Sequence, residues 1–126
     1  MFTPPSYSQA ASVSGGRTIH VSGQVALNAT GEVVGKGDLR AQVQQVYENL
    51  AAALAAAGAT FDDVVKVNTY VVGLNPSTAR VIRESRAPFM PKSHVPASTM
   101  IGTPALIHPD LLLEVEVIAC ADAASG

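Results

Sequence analysis

Residues 38–58 read DLRAQVQQVYENLAAALAAAG, and their spacing decides the fold. Leu39, Val43, Val46, Leu50, Leu54 and Ala57 recur at steps of three or four, drawing one apolar stripe down an amphipathic helix. Asp38 stands where an N-cap belongs, its carboxylate able to accept an orphan backbone N–H at the positive end of the helix dipole. Gly58 ends the helix, because glycine adopts the left-handed conformation that terminates helices at little cost. The alanines at 51–53 and 55–57 allow close approach of a neighbouring backbone. Such a helix is roughly 30 Å long, and its stripe needs a sheet to lie on.

The flanking chain supplies one. Before the helix, residues 1–6 form an irregular arm with two prolines; Tyr7 to Val13 and Arg17 to Leu27 read as two strands of a hairpin around Ser14-Gly15-Gly16. A turn at 28–31 leads to a short edge, Glu32-Val33-Val34. After the helix, Thr60 and Asp63 have the spacing of a capping box, and the β-branched run Val65 to Val72 predicts a strand. Asn75-Pro76 starts a second helix over 76–87, which Pro88 and Pro91 close. Val95 to Ile101 and Leu111 to Ala121 predict two more strands, and 122–126 a frayed tail. The whole is an α+β fold: one domain over 1–126, a mixed sheet with two helices on one face.

Composition narrows the function. The chain is 48% apolar and only 14% charged, too little charge to cover a monomer of 126 residues, so an oligomer is expected. The net charge of −2 gives no footprint for nucleic acid or an anionic membrane. No apolar run reaches the roughly 18 residues of a membrane span, and MFTPPSYSQ lacks a basic region followed by an apolar one, so a cytoplasmic location is the expectation. One cysteine excludes an internal disulfide, and His20, His94 and His108 fit no metal-ligand spacing; neither metal nor cofactor is called for.

Strand alternation separates two faces. In the last strand Leu111, Leu113, Val115, Val117 and Ala119 suit the helices, whereas Leu112, Glu114, Glu116, Ile118 and Cys120 form a mixed face. Lys66, Asn68, Tyr70 and Val72 continue that mixed face, as do Thr18, His20, Ser22, Gln24 and Ala26. Polar groups among aliphatic ones fit a surface that another subunit covers incompletely, leaving polar clefts for a small molecule. Glu114 and Glu116 would lie roughly 7 Å apart, and read equally as a structural pair held by Arg or Lys or as a catalytic acid or base. Cys120 reads as a small packed residue and Asp62-Asp63 as helix-start chemistry. Gly23, between Ser22 and Gln24, weakens a strand unless a bulge or a ligand requires it.

Tyr7-Ser8-Gln9-Ala10, Val21-Ser22-Gly23-Gln24-Val25, Thr30-Gly31-Glu32, Glu48-Asn49-Leu50, Ala57-Gly58-Ala59, Pro96-Ala97-Ser98-Thr99 and Glu114 to Ala119 stand in the order that resembles the RidA (YjgF) family, over about residues 7–120. That resemblance implies a chorismate-mutase-like α+β fold, a homotrimer with inward-facing sheets, and ligand clefts between subunits. It also implies cofactor-free hydrolysis of enamines and imines such as 2-aminoacrylate. Carried onto matching positions, it implies Glu114 as the catalytic carboxylate and Tyr7, Ser22, Gly23, Ser98 and Thr99 as ligand-binding residues.

One position departs from the pattern. Deaminating members carry an arginine after Pro-Ala that grips the substrate carboxylate; here Ser98 stands there, and a hydroxyl cannot balance that charge. The loss is worth about 2–5 kcal/mol of binding, by analogy with truncated buried pairs. The asparagine usual in the second helix is also missing, near Ile82. Two readings follow: a deaminase-like hydrolase acting on a substrate other than 2-aminoacrylate, or a trimer that binds a metabolite or a partner without catalysis. RNA cleavage, also attached to this family, fits poorly with the charge.

Overall fold

Asp38 caps the first helix, its Oδ1 accepting the Ala41 N–H at 3.1 Å. The computed structural model describes Met1 and residues 4–122, so the tail expected beyond Asp122 lies outside the described residues, as do Phe2 and Thr3 of the arm. Helix α1 (Leu39–Ala56) buries Gln42, Val43, Val46, Tyr47, Leu50 and Leu54. Four of these belong to the apolar stripe. Gln42 does not, and its amide is fully used: Nε2 donates to Gly35 O (3.2 Å) and Asp110 O (2.8 Å), while Oε1 accepts Leu112 N–H (2.8 Å). The C-terminal end, lacking a basic residue of its own, is closed by Arg17, whose Nη1 donates to Ala57 O at 3.1 Å.

Around α1 stand strands β1 (Arg17–Gln24), β2 (Val64–Val71), β3 (Ala97–Gly102) and β4 (Leu113–Ala121), with helix α2 (Pro76–Arg86) between β2 and β3. The sheet order is β1-β4-β2-β3; β4 runs antiparallel to both neighbours and β3 parallel to β2. This is the expected mixed sheet with its helices on one face. Leu113, Val115, Val117 and Ala119 are buried under them, alternating with half-buried Glu114, Glu116, Ile118 and Cys120. The predicted capping box of Thr60 with Asp63 forms, and at the start of α2 the expected cap Asn75 makes a second one with Thr78.

Two expectations are corrected. Tyr7 to Val13 forms no strand and no hairpin: among the described residues the arm makes a single parallel bridge, Ser8 to Ala97, with Ser8 N–H donating to Pro96 O at 2.9 Å. Residues 10–14 are small and exposed, with no apolar alternation to bury. Gly15 and Gly16 instead bring the chain against the end of β4; both have positive φ, and a Cβ on Gly16 would stand 2.3 Å from Ala121 O. The second correction concerns the far end of β1. Val21 pairs with Val117 but Gln24 with Val115, so one extra residue bulges at Ser22-Gly23 and reverses the alternation beyond it. Ala26, expected on the mixed face, is accordingly buried in the core.

Candidate functional site

The residues that carry chemistry divide between two places. The first is the open face of the sheet. Here Asn68 pairs with Glu116 and Tyr70 with Glu114 across β2 and β4, and Thr99 on β3 sits beside Asn68. His20, Ser22, Asn68 and Glu116 line a depression of about 270 Å³. Glu116 is engaged within the chain: its Oε1 accepts from Tyr70 Oη at 2.7 Å and from Asn68 Nδ2 at 3.2 Å. That hydrogen bond to the carboxylate, followed by burial and the charges of Glu116 and Glu114, raises the Tyr70 phenol above its ordinary pKa. Glu116 is therefore held by two neutral donors, and not by the Arg or Lys that one of its two readings called for.

Glu114 is placed differently. Its Oε2 occupies the space where a Cβ on residue 23 would sit, 2.1 Å from that position, so the carboxylate lies directly over the glycine of the bulge. Among the described residues neither an ion pair nor a hydrogen bond reaches it. A half-buried carboxylate held in place by packing and left without a partner is available to a water or a ligand. Ser22, Gly23, Thr99 and Glu114 thus share one region, although Thr99 Oγ1 already accepts from Lys66 Nζ at 2.9 Å.

Tyr7 and Ser98 lie elsewhere. Ser98 pairs with buried Val67 and Met100 with buried Thr69, so both face the helix side of the sheet, opposite to Glu114. With Ser6, Tyr7, Arg83 and Arg86 they line a cavity of about 210 Å³ between the arm, β3 and α2. Arg86 is only 4% exposed, and its guanidinium adjoins the buried Tyr47 hydroxyl, whose pKa burial raises against the opposing charge of Arg86. Neither Tyr47 Oη nor Arg86 Nη1 completes a well-formed hydrogen bond among the described residues. One chain therefore holds the expected ligand-binding residues as two groups, on opposite faces of one sheet. Arg83 and Arg86 are visible in the sequence as an i,i+3 pair in the last turn of a helix; only the packing reveals that they line one cavity with Ser98. No cluster of His, Cys, Asp or Glu among the described residues is arranged to hold a metal, and no helix is long and apolar enough to cross a membrane.

The profile of the family described as Endoribonuclease L-PSP matches residues 3–121. A RutC family protein of Pyrococcus horikoshii is 37% identical over 114 residues, 90% of this chain and 85% of that one. A protein of the mite Dermatophagoides farinae named 2-iminobutanoate/2-iminopropanoate deaminase is 37% identical over 92 residues, 71% of this chain and 70% of its own. Among solved structures, a Rid family protein of Yersinia pestis superposes with a TM-score of 0.87 at 45% identity, covering 92% of this chain and 87% of that one. RidA from an Antarctic Psychrobacter gives 0.72 at 30% identity, with 95% and 92% covered. Sequence profile, relatives and backbone agree, and the chain belongs to the RidA (YjgF) family.

Proposed function

We propose that the chain assembles as a homotrimer whose subunit clefts hydrolyse C=N bonds of small imines or enamines, on a substrate other than 2-aminoacrylate. The observation that carries this reading is the separation of the two residue groups. Tyr7 and Ser98 face α2 while Ser22, Gly23 and Glu114 occupy the opposite sheet face, so a second subunit is needed to bring both to one ligand. Ile101, 47% exposed beside Tyr70 on the open face, is apolar surface that such a subunit would cover.

In the cleft, Glu114 takes a proton from water as the water oxygen bonds to the imine carbon and the π electrons move to nitrogen, and Glu114 then delivers that proton to the nitrogen. The resulting carbinolamine collapses as Glu114 takes its hydroxyl proton and the oxygen re-forms C=O. The C–N bond breaks, ammonia leaves carrying the proton that Glu114 passes to it, and no cofactor is consumed. Tyr7, Ser22 and Thr99 orient the ligand. The deaminase name of the mite relative supports this chemistry. RNA cleavage fits less well, because the chain carries net charge −2 and the open face presents Glu114 and Glu116.

The test generates imines in situ with an amino-acid oxidase and follows the residual imine trapped by semicarbazide. Wild-type protein is expected to deplete at least one imine of the panel, and Glu114→Gln to lower kcat/KM by about 10²–10⁴-fold. Hydrolysis of 2-aminoacrylate should be little accelerated. A folded protein that binds 2-oxo acids and depletes no imine would replace this reading with that of a non-catalytic metabolite-binding trimer.

A further inference from the structure

We infer that Glu116 is a positioning residue for Glu114: by taking the Tyr70 hydroxyl for itself, it keeps the carboxylate over the bulge free of a hydrogen-bond donor. The inference rests on the reading above in giving Glu114 the proton transfers, and adds a residue that sets its basicity without touching the ligand.

Strand register makes the choice of partner informative. Tyr70 on β2 stands directly opposite Glu114 on β4, and Asn68 directly opposite Glu116. All four side chains alternate away from the buried positions and share the open face. Residues directly opposite lie about 4.5–5.5 Å apart at Cβ and diagonal ones about 7–8 Å, so Glu114 is the nearer acceptor for a side chain at 70. The hydroxyl nevertheless goes along the diagonal, Tyr70 Oη donating to Glu116 Oε1 at 2.7 Å. Asn68 Nδ2 donates to the same oxygen at 3.2 Å and so holds that acceptor from directly across the ladder. Glu114 leans the other way, toward β1, with its Oε2 over Gly23.

The chemical consequence follows from what a donor does to a carboxylate. A hydrogen bond to the ionised form stabilises it and makes it a weaker base, by about ten- to a hundredfold for a bond to a charged group. Tyr70 is an able donor: the hydrogen bond to Glu116, then burial and the charges of Glu116 and Glu114, hold its phenol above the ordinary pKa and keep it protonated. The other charged or titratable groups toward this face are occupied or set apart. Lys66 Nζ donates to Thr99 Oγ1 at 2.9 Å, and His20 on β1 lines the depression beside Glu116. The phenol is thus the donor that turns to Glu114 once Glu116 cannot accept it.

The test compares Glu116→Leu, which fills the space but accepts no hydrogen bond, with Glu116→Gln, which loses the charge and keeps the acceptor. In the full chain, on an imine that wild type depletes, Glu116→Leu should lower kcat/KM about tenfold or more. Its acid limb should move to lower pH, because a hydrogen-bonded carboxylate stays ionised further into acid. Glu116→Gln should stay near wild type. Adding Tyr70→Phe to Glu116→Leu should restore rate and pH profile, a reversal that loss of packing alone does not give, and Tyr70→Phe by itself should change neither. Crystal structures read the same event without turnover: Tyr70 Oη should lie within about 3 Å of a Glu114 oxygen in Glu116→Leu, and of the introduced amide oxygen in Glu116→Gln. If Glu116→Leu fails to fold, Glu116→Ala is read in its place. Equal losses in the Leu and Gln variants, a double variant no better than Glu116→Leu, Tyr70→Phe as inactive as Glu114→Gln, or a phenol still turned from Glu114 in Glu116→Leu each overturns the inference. A wild type that hydrolyses no imine, with the phenol moving to Glu114 in Glu116→Leu, removes the catalytic reading and leaves the exchange of partners standing. Hydrolysis that depends on Glu114 and shows no rescue by Tyr70→Phe does the reverse.

Discussion

Gly23 and Glu114 are matched at atomic scale: the carboxylate occupies the volume that any other residue at 23 would fill with its Cβ. The backbone of Gly23 is outside the left-handed region, so Gly23→Ala meets no backbone penalty and the flexible carboxylate must yield instead. The expected outcome is a stability change of at most about 1 kcal/mol, with kcat/KM on the imine used above falling to the level of Glu114→Gln. Parallel thermal melts and kinetics check this. Retained turnover in a folded Gly23→Ala would show that the position of Glu114 over the bulge is incidental. The sequence shows that glycine in a strand needs a reason and that Glu114 and Glu116 share a face. It cannot show which carboxylate is already satisfied, because Tyr70 and Asn68 reach Glu116 through cross-strand register.

At the scale of elements, α1 is legible because its signals agree: an apolar period of 3.6, an aspartate cap and a closing glycine. Asp38→Ala should therefore cost about 1 kcal/mol, seen as a lower denaturant midpoint with unchanged m-value. An unchanged midpoint would mean that tertiary packing alone fixes the start of α1. The strands are less legible, for local reasons. Residues 7–13 suggest a strand by their polar and apolar mixture, but an apolar side needs a layer to cover it, and the arm runs along β3 with only Ser8 bridged. The bulge at Ser22-Gly23 changes parity midway along one run, so a period-two reading carried through it places Gln24 and Ala26 on the wrong face. Ser98 and Thr99, neighbours in sequence, likewise diverge: Thr99 joins the open face and Ser98 the α2 cavity. Composition names the residues of a site, whereas strand order decides which of them meet.

For the whole molecule, a sheet covered by helices on one face leaves the other face half-finished, with Glu114, Tyr70, Asn68 and Ile101 on it. The expected ligand-binding residues are divided by that same sheet. Both facts are met if open faces pack inward around a threefold axis and each cleft takes one group from each of two neighbours. The trimer is thus the assumption on which the site and its chemistry jointly depend. Sedimentation equilibrium at micromolar concentration tests it most directly. The expected result is a single species of three times the 13.0 kDa chain mass, stable to dilution across that range. A 13.0 kDa monomer under the same conditions would contradict it, since Tyr7 and Ser98 would then have no means of meeting Glu114.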